Sequence, residues 1–228
     1  AFTQGGNLIT RPVRGGAATT LATGVDRGTP GLDWLADGTI LFEIDDNDRL
    51  ARMPADGSSA ADTVVTLGSL RWAHGIEGHE SALVLRCPGC DLGIVDLTSG
   101  EVEWVLEDVA RAWYVPTGHI VYVRSDGAVF AAPYDAESRA LGAIGTPLFE
   151  GVRTGIGWAD MVVADDGTMV SVTSPGLGRT REELDCIDRD GNVERVDPEW
   201  PAVDLDPGLI SPDGRRIANG VDPEDANV

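Results

Sequence analysis

The sharpest local motif in the sequence is Cys87-Pro-Gly-Cys90. Two cysteines at this spacing can act as a redox dithiol or as half of a tetrahedral zinc site. Zinc needs two more ligands, and the other soft or imidazole donors, Cys186, His74, His79 and His119, stand at no standard ligand spacing. The redox form ordinarily opens a helix in a βαβ unit, and no such pattern surrounds this pair. The third reading is structural: Pro88-Gly89 turns the chain between two strands, and the cysteines face each other or form a local disulfide. We expect the structural reading. Cys87, Cys90, His79 and His119 are the metal candidates on offer, and no metal or cofactor is expected.

Other groups that could do chemistry are less distinctive. His79 and His119 each follow a turn glycine, so equivalent places on neighbouring repeats could bring them together, with His74 nearby. The run Asp45-Asp-Asn-Asp48 could offer oxygens to Ca²⁺ but lacks the spacing and closing Glu of an EF-hand loop, and it reads as a solvated turn. Trp34, Trp72, Trp113 and Trp158 open or precede the first strand of successive units. Large aromatics at one place per repeat pack between units, with a stacking platform for a ligand as the rival reading. Ser81, Ser99 and Ser171 sit in no Gly-x-Ser-x-Gly elbow. Asp160, Asp165 and Asp166 could belong to a glycosidase pair, but among 38 acids nothing singles one out.

Charge narrows the partners. The net charge is −21, which opposes a phosphate backbone and anionic membrane surfaces alike. All 17 basic residues are Arg. The absence of Lys removes Schiff-base, phosphate-loop and kinase-type ATP chemistry from this segment. No apolar run is long enough to span a bilayer, and residues 1–16 carry no apolar signal core. The chain begins with Ala, and we expect it to be part of a longer polypeptide.

The elements that would position these groups come from an internal repeat. A polar turn ending in Gly is followed by alternating apolar residues in Trp34-Leu-Ala-Asp-Gly-Thr-Ile-Leu-Phe42, Val115-Pro-Thr-Gly-His-Ile-Val-Tyr-Val123, Val163-Ala-Asp-Asp-Gly-Thr-Met-Val-Ser-Val172 and Ser211-Pro-Asp-Gly-Arg-Arg-Ile-Ala218. A degenerate copy runs from Glu77 to Leu85. The repeat is anchored by Trp34, Asp37, Gly38, Gly118, Asp166, Gly167, Asp213 and Gly214. Its period of about 40 to 50 residues is that of propeller blades. Each unit continues through a second strand pair closed by turns such as Asp56-Gly57 and Ser99-Gly100. The fold expected is therefore all-β: a β-propeller of four-stranded antiparallel blades, with a β-sandwich as the weaker alternative because sandwiches do not repeat in this way. The expected organisation is one segment over 1–228, with a partial blade over 1–30, blades over about 31–70, 71–110, 111–155 and 156–203, and a partial blade over 204–228.

These phrases resemble the TolB-like, WD-repeat-like propeller repeats. Asn7 to Gly16, Asp37 to Phe42, Leu50 to Gly57, Ala110 to Gly118, Val129 to Asp135 and Thr146 to Val152 further resemble the C-terminal propeller of bacterial serine/threonine protein kinases. The resemblance implies a six-bladed ring in the full protein, an extracytoplasmic setting and a sensing or protein-binding role. Such repeats also occur in TolB and in the propeller of prolyl-oligopeptidase-type hydrolases. No kinase motif is present. The reading is a non-catalytic module for a protein or small-molecule ligand, with a TolB-like periplasmic protein, a hydrolase propeller domain, or a hydrolase or lyase acting at the channel mouth as alternatives. Open blade edges would favour oligomers unless the ends pair.

Overall fold

Short apolar runs punctuated by turn glycines can satisfy their backbone only by pairing, and the chain does so throughout. The computed structural model describes residues 1–25, 31–44, 48–142, 145–173, 183–187, 192–195, 209–210 and 217–218, and every regular element among them is a strand. A three-stranded sheet comes first: β1 (Phe2–Gln4), β2 (Asn7–Thr10) and β3 (Thr19–Thr23). The first blade is β4 (Leu32–Trp34), β5 (Thr39–Ile44), β6 (Arg49–Pro54) and β7 (Asp62–Thr66), and the second is β8 (Leu70–Gly75), β9 (Ser81–Arg86), β10 (Asp91–Asp96) and β11 (Val102–Leu106). The third holds β12 (Val109–Val115), β13 (His119–Arg124) and β14 (Val129–Asp135), with β15 (Ala140–Leu141) and β16 (Thr146–Phe149) both pairing with β14. A hairpin of β17 (Thr154–Gly155) and β18 (Trp158–Ala159) then leads into the fourth blade, β19 (Met161–Val163), β20 (Met169–Thr173), β21 (Glu183–Ile187) and β22 (Val193–Arg195). The last pair is β23 (Leu209–Ile210) with β24 (Ile217–Ala218). Every pairing is antiparallel and each blade is a meander in chain order. This is the architecture of a β-propeller.

The first strands lie inside. β4 packs on β8, β8 on β12, and β12 on β18, whereas the fourth strands β7, β11 and β22 contain no buried residue. The second strand of each blade is covered on both faces, which is why Ile40 to Phe42 and Ala82 to Leu85 read as unbroken apolar runs and not as alternation. Leu8, Val25, Ile40, Phe42 and Met53 join the N-terminal sheet to the first blade. Leu41 and Leu50 meet Ala73, Val84 and Val95 between the first and second blades. Trp72, Leu83 and Ile94 pack with Trp113 and Tyr122 of the third blade, and the same cluster reaches Met161 and Met169 of the fourth.

The repeat phrases around Gly38, Gly118 and Gly167 form hairpins between first and second strands. Gly38, Gly118 and Gly167 close them at φ +86, +80 and +84, donating to the carbonyls of Leu35, Val115 and Ala164. Asp37 and Asp166 each accept the N–H two residues on, from Thr39 and Thr168. Asp213 and Gly214, the Asp45 to Asn47 part of the acidic run, and Trp200 lie outside the described residues. Asp48 is described, and its carbonyl accepts N–H groups from Leu67 and Gly68.

One glycine gives a clean test of how blades are joined. Gly127 sits at φ +83, and a Cβ there would lie 2.5 Å from the carbonyl oxygen of Val152 in the connection to the fourth blade. Gly127→Ala is expected to cost about 2 kcal/mol from the left-handed backbone together with the clash, read as a drop in the urea midpoint. A loss near zero would show that this crossing is slack.

Candidate binding site at the hairpin end of the inner strands

Register decides which side chains share a place. Asp33, His74 and Trp113 pair with Leu41, Leu83 and Val121, so they occupy one position on the inner strands of three successive blades. Asp33 spans the first two blades. Its Oδ2 accepts the Gly75 N–H at 2.7 Å and lies 3.3 Å from His74 Nδ1, and its Oδ1 accepts the Trp34 N–H at 3.0 Å. Burial pushes the Asp33 carboxyl up, but the His74 contact and the two N–H groups outweigh it and hold the group below the ordinary carboxylate range. A carboxylate can only accept, so Nδ1 of His74 is the donor. The other face of the ring stacks on Trp72 at 5.4 Å.

Above this pair, the hairpin tips of four blades line an open cavity of about 430 Å³. Its apolar wall includes Trp34, Leu35, Ile76, Tyr114 and Pro116, and its polar groups are Asp33, Asp37, His74, Glu77, His79, Glu80 and Asp165. Three of the acids are already engaged: Asp33 as above, Asp37 by the Thr39 N–H, and Glu80 by Arg52 at 3.4 Å. Glu77 and Asp165 are exposed, and neither is in an ion pair among the described residues.

The opposite end of the inner strands is filled. Trp72 pairs with Leu85 and Arg111 with Val123, one matched place, and the Arg111 guanidinium lies 4.8 Å over the Trp72 ring. Burial lowers the Arg111 pKa to about 10, opposed by Glu43 and Asp160, so it stays charged at neutral pH. Glu43 and Asp160 are each 2% exposed, and Arg153 Nε donates to Asp160 Oδ2. The β17–β18 hairpin closes over this end. A Cβ on Gly157 at its turn would lie 2.9 Å from Arg71 Cβ and 3.3 Å from Cys87 Sγ of the second blade.

The other sequence candidates fall as follows. Cys87 and Cys90 are buried and joined in a disulfide at the β9–β10 turn, so their thiolates are spent on each other. His79 and His119 are not equivalent. The hairpin of the second blade has one residue more than its neighbours: His79 donates its N–H to Ile76, taking the place of Gly38 and Gly118, while Ser81 and not His79 matches His119. His79 lines the cavity and His119 turns back on Thr117, with Nδ1 3.2 Å from its carbonyl. No group of three or more His, Cys, Asp or Glu among the described residues is arranged to hold a metal. The four tryptophans also divide. Trp72 and Trp113 are buried and meet edge to face at 6.1 Å. Trp34 pairs with Ile40, which makes it the counterpart of Tyr114, and it is 51% exposed. A one-residue offset reverses the face of a strand side chain, which is why Trp34 leaves the core. Trp158 is half-buried in the β17–β18 hairpin, and Trp104 is 37% exposed beneath the Arg86 guanidinium.

Sequence reasoning missed Asp33, Glu43 and Arg111. The signal was an acid or a base inside an inner or second strand, as in Leu32-Asp-Trp34 and Leu41-Phe-Glu-Ile44, where a solvated charge is not expected.

Acid titration tests the electrostatics. The carboxyls of Asp33, Asp96 and Asp135 are all depressed in the fold, the latter two by the Ser99 and Thr98 N–H groups and by Ser138 respectively. A depressed carboxyl contributes stability that is complete above its unfolded value of about 3.9 and is lost as the pH falls through the folded values. Stability should therefore hold down to about pH 4 and fall below it, with a shallower fall in Asp33→Asn. A profile that declines already from pH 7 would contradict these assignments.

The fold so described belongs to the β-propeller class. Among solved structures it is similar to TolB from Acinetobacter baumannii, with a TM-score of 0.64 and 16% identity over 92% of this chain and 53% of that one. It is also similar to regucalcin, a calcium-binding protein from Agrobacterium tumefaciens, with a TM-score of 0.60 and 17% identity over 88% of this chain and 70% of that one. A third likeness is to puromycin hydrolase, with a TM-score of 0.50 and 20% identity over 89% of this chain and 34% of that one. The chain thus spans about half the length of the TolB structure. No family model and no curated protein matches the sequence.

Proposed function

We propose that this chain is a non-catalytic propeller module that binds a protein or small-molecule ligand in the cavity at the hairpin end of its inner strands. The observation that carries the reading is the pairing of an open, partly apolar cavity at that end with a closed, charge-filled opposite end. Concave sites with an apolar wall and a few fixed polar groups are the ordinary form of a ligand site. The Cys87–Cys90 disulfide fits an oxidising, extracytoplasmic compartment. The repeat phrases resembling kinase-linked propellers support a sensor segment of a larger receptor-type protein, and their resemblance to TolB-like repeats is in keeping with an extracytoplasmic binding role.

The second reading, a hydrolase acting at the channel mouth, is favoured by one observation: a histidine held by a carboxylate through one ring nitrogen lines the cavity, as a general base would. Against it, no serine or cysteine nucleophile lines the cavity among the described residues. A thermal-shift screen of peptides and small molecules, run beside a panel of ester, peptide and glycoside substrates, separates the two. We expect stabilising ligands whose effect is lost in Trp34→Ala, and no turnover. Turnover abolished by His74→Ala would replace the binding reading with the enzymatic one.

A further inference from the structure

We propose that the mouth cavity selects a cationic group on an aliphatic stem, a guanidinium or ammonium such as a basic side chain of a partner protein presents; this rests on the binding reading above. The cavity is built in two parts. Trp34, 51% exposed, with Ile76 and Tyr114 gives an apolar wall for a stem, and a cation over Trp or Tyr gains further from the ring quadrupole. His74 lines the same cavity and is fixed by Asp33 through Nδ1. Glu77 and Asp165 come from the tips of the second and fourth blades, so they bear on the cavity from different sides. They are the lining carboxylates not engaged by an N–H or a cation among the described residues. An anion would meet the Glu77 and Asp165 carboxylates, and a neutral polar group would leave both unneutralised. The net charge of −21 steers cations toward the mouth.

The test is calorimetry on the full chain with three probes: acetyl-Gly-Arg-Gly-amide, its citrulline counterpart, which lacks only the charge, and agmatine. The arginine peptide or agmatine should bind at least about tenfold more tightly than the citrulline peptide, with affinity falling as salt rises. The tighter of the two identifies the source, a protein side chain or a free amine, and either supports the proposal. Glu77→Gln with Asp165→Asn should remove about tenfold while Tm is unchanged, because both residues are exposed. Equal binding of arginine and citrulline peptides overturns the cation selection and leaves the binding module standing. If no probe binds while the screen above yields Trp34-dependent ligands, the inference alone falls. If the screen is empty too, both fall.

Discussion

Trp72→Ala should lower the stability of the chain by about 3–5 kcal/mol, among the largest losses any single substitution here would cause. The indole is 4% exposed and stands at the junction of two blades. It meets Trp113 edge to face at 6.1 Å, stacks on His74 at 5.4 Å, and carries the Arg111 guanidinium at 4.8 Å. Truncation leaves a cavity between blades that are held by rigid ladders and cannot collapse. It also strips the ring from beneath a buried cation. The urea midpoint should fall with the slope of the transition unchanged. Trp72→Phe keeps most of the buried area and should lose less than half as much. A loss for Trp72→Ala below about 1 kcal/mol would mean that the second and third blades do not pack through this residue.

Asp160→Asn should cost about 3 kcal/mol or more. Asp160 lies at the entry to the fourth blade, 2% exposed, and accepts from Arg153 Nε at the base of the β17–β18 hairpin. Its backbone closes the same base, with its N–H on the Arg153 carbonyl and its own carbonyl accepting from Val172. Its charge also opposes the cost of burying Arg111. Removing one partner of a buried pair leaves the other charge in a medium that cannot solvate it, whereas removing both is far milder. Arg153→Met in the Asp160→Asn background should therefore restore part of the loss, giving a coupling above about 1 kcal/mol in the double-mutant cycle. Additive losses would show that the pair is solvated and that this end of the inner strands is open to water.

Much of the fold is legible in the residues themselves because turn chemistry is local. Gly38, Gly118 and Gly167 take positive φ where an Asp-Gly or Thr-Gly pair announces a hairpin, and Asp37, Asp56, Asp126 and Asp166 bond the N–H two residues on. The resemblance to TolB-like repeats led to the same architecture. What escaped was governed by pairing between distant segments. The extra residue in the hairpin after Ile76 breaks the equivalence of His79 and His119, and a degenerate repeat without Asp-Gly gives no sign of it. The offset of Trp34 by one residue from the core position of Trp113 shows only in the register with Ile40. Asp33 and Asp160 are two carboxylates among 38 until the strands bring them to Gly75 and Arg153. The cavity was legible only as a channel mouth: its walls come from hairpins more than a hundred residues apart in sequence, from Asp33 to Asp165.

The most direct test of the binding account is where a ligand perturbs the chain. Two-dimensional amide spectra of the full chain, recorded with each stabilising ligand from the screen, report this without assuming the ligand's chemistry. The account predicts shifts confined to Asp33 to Asp37, His74 to Glu80, Tyr114 to Pro116 and the tip around Asp165. Shifts centred on the β17–β18 hairpin or on the outer strands β7 and β11, with the mouth unmoved, would contradict it.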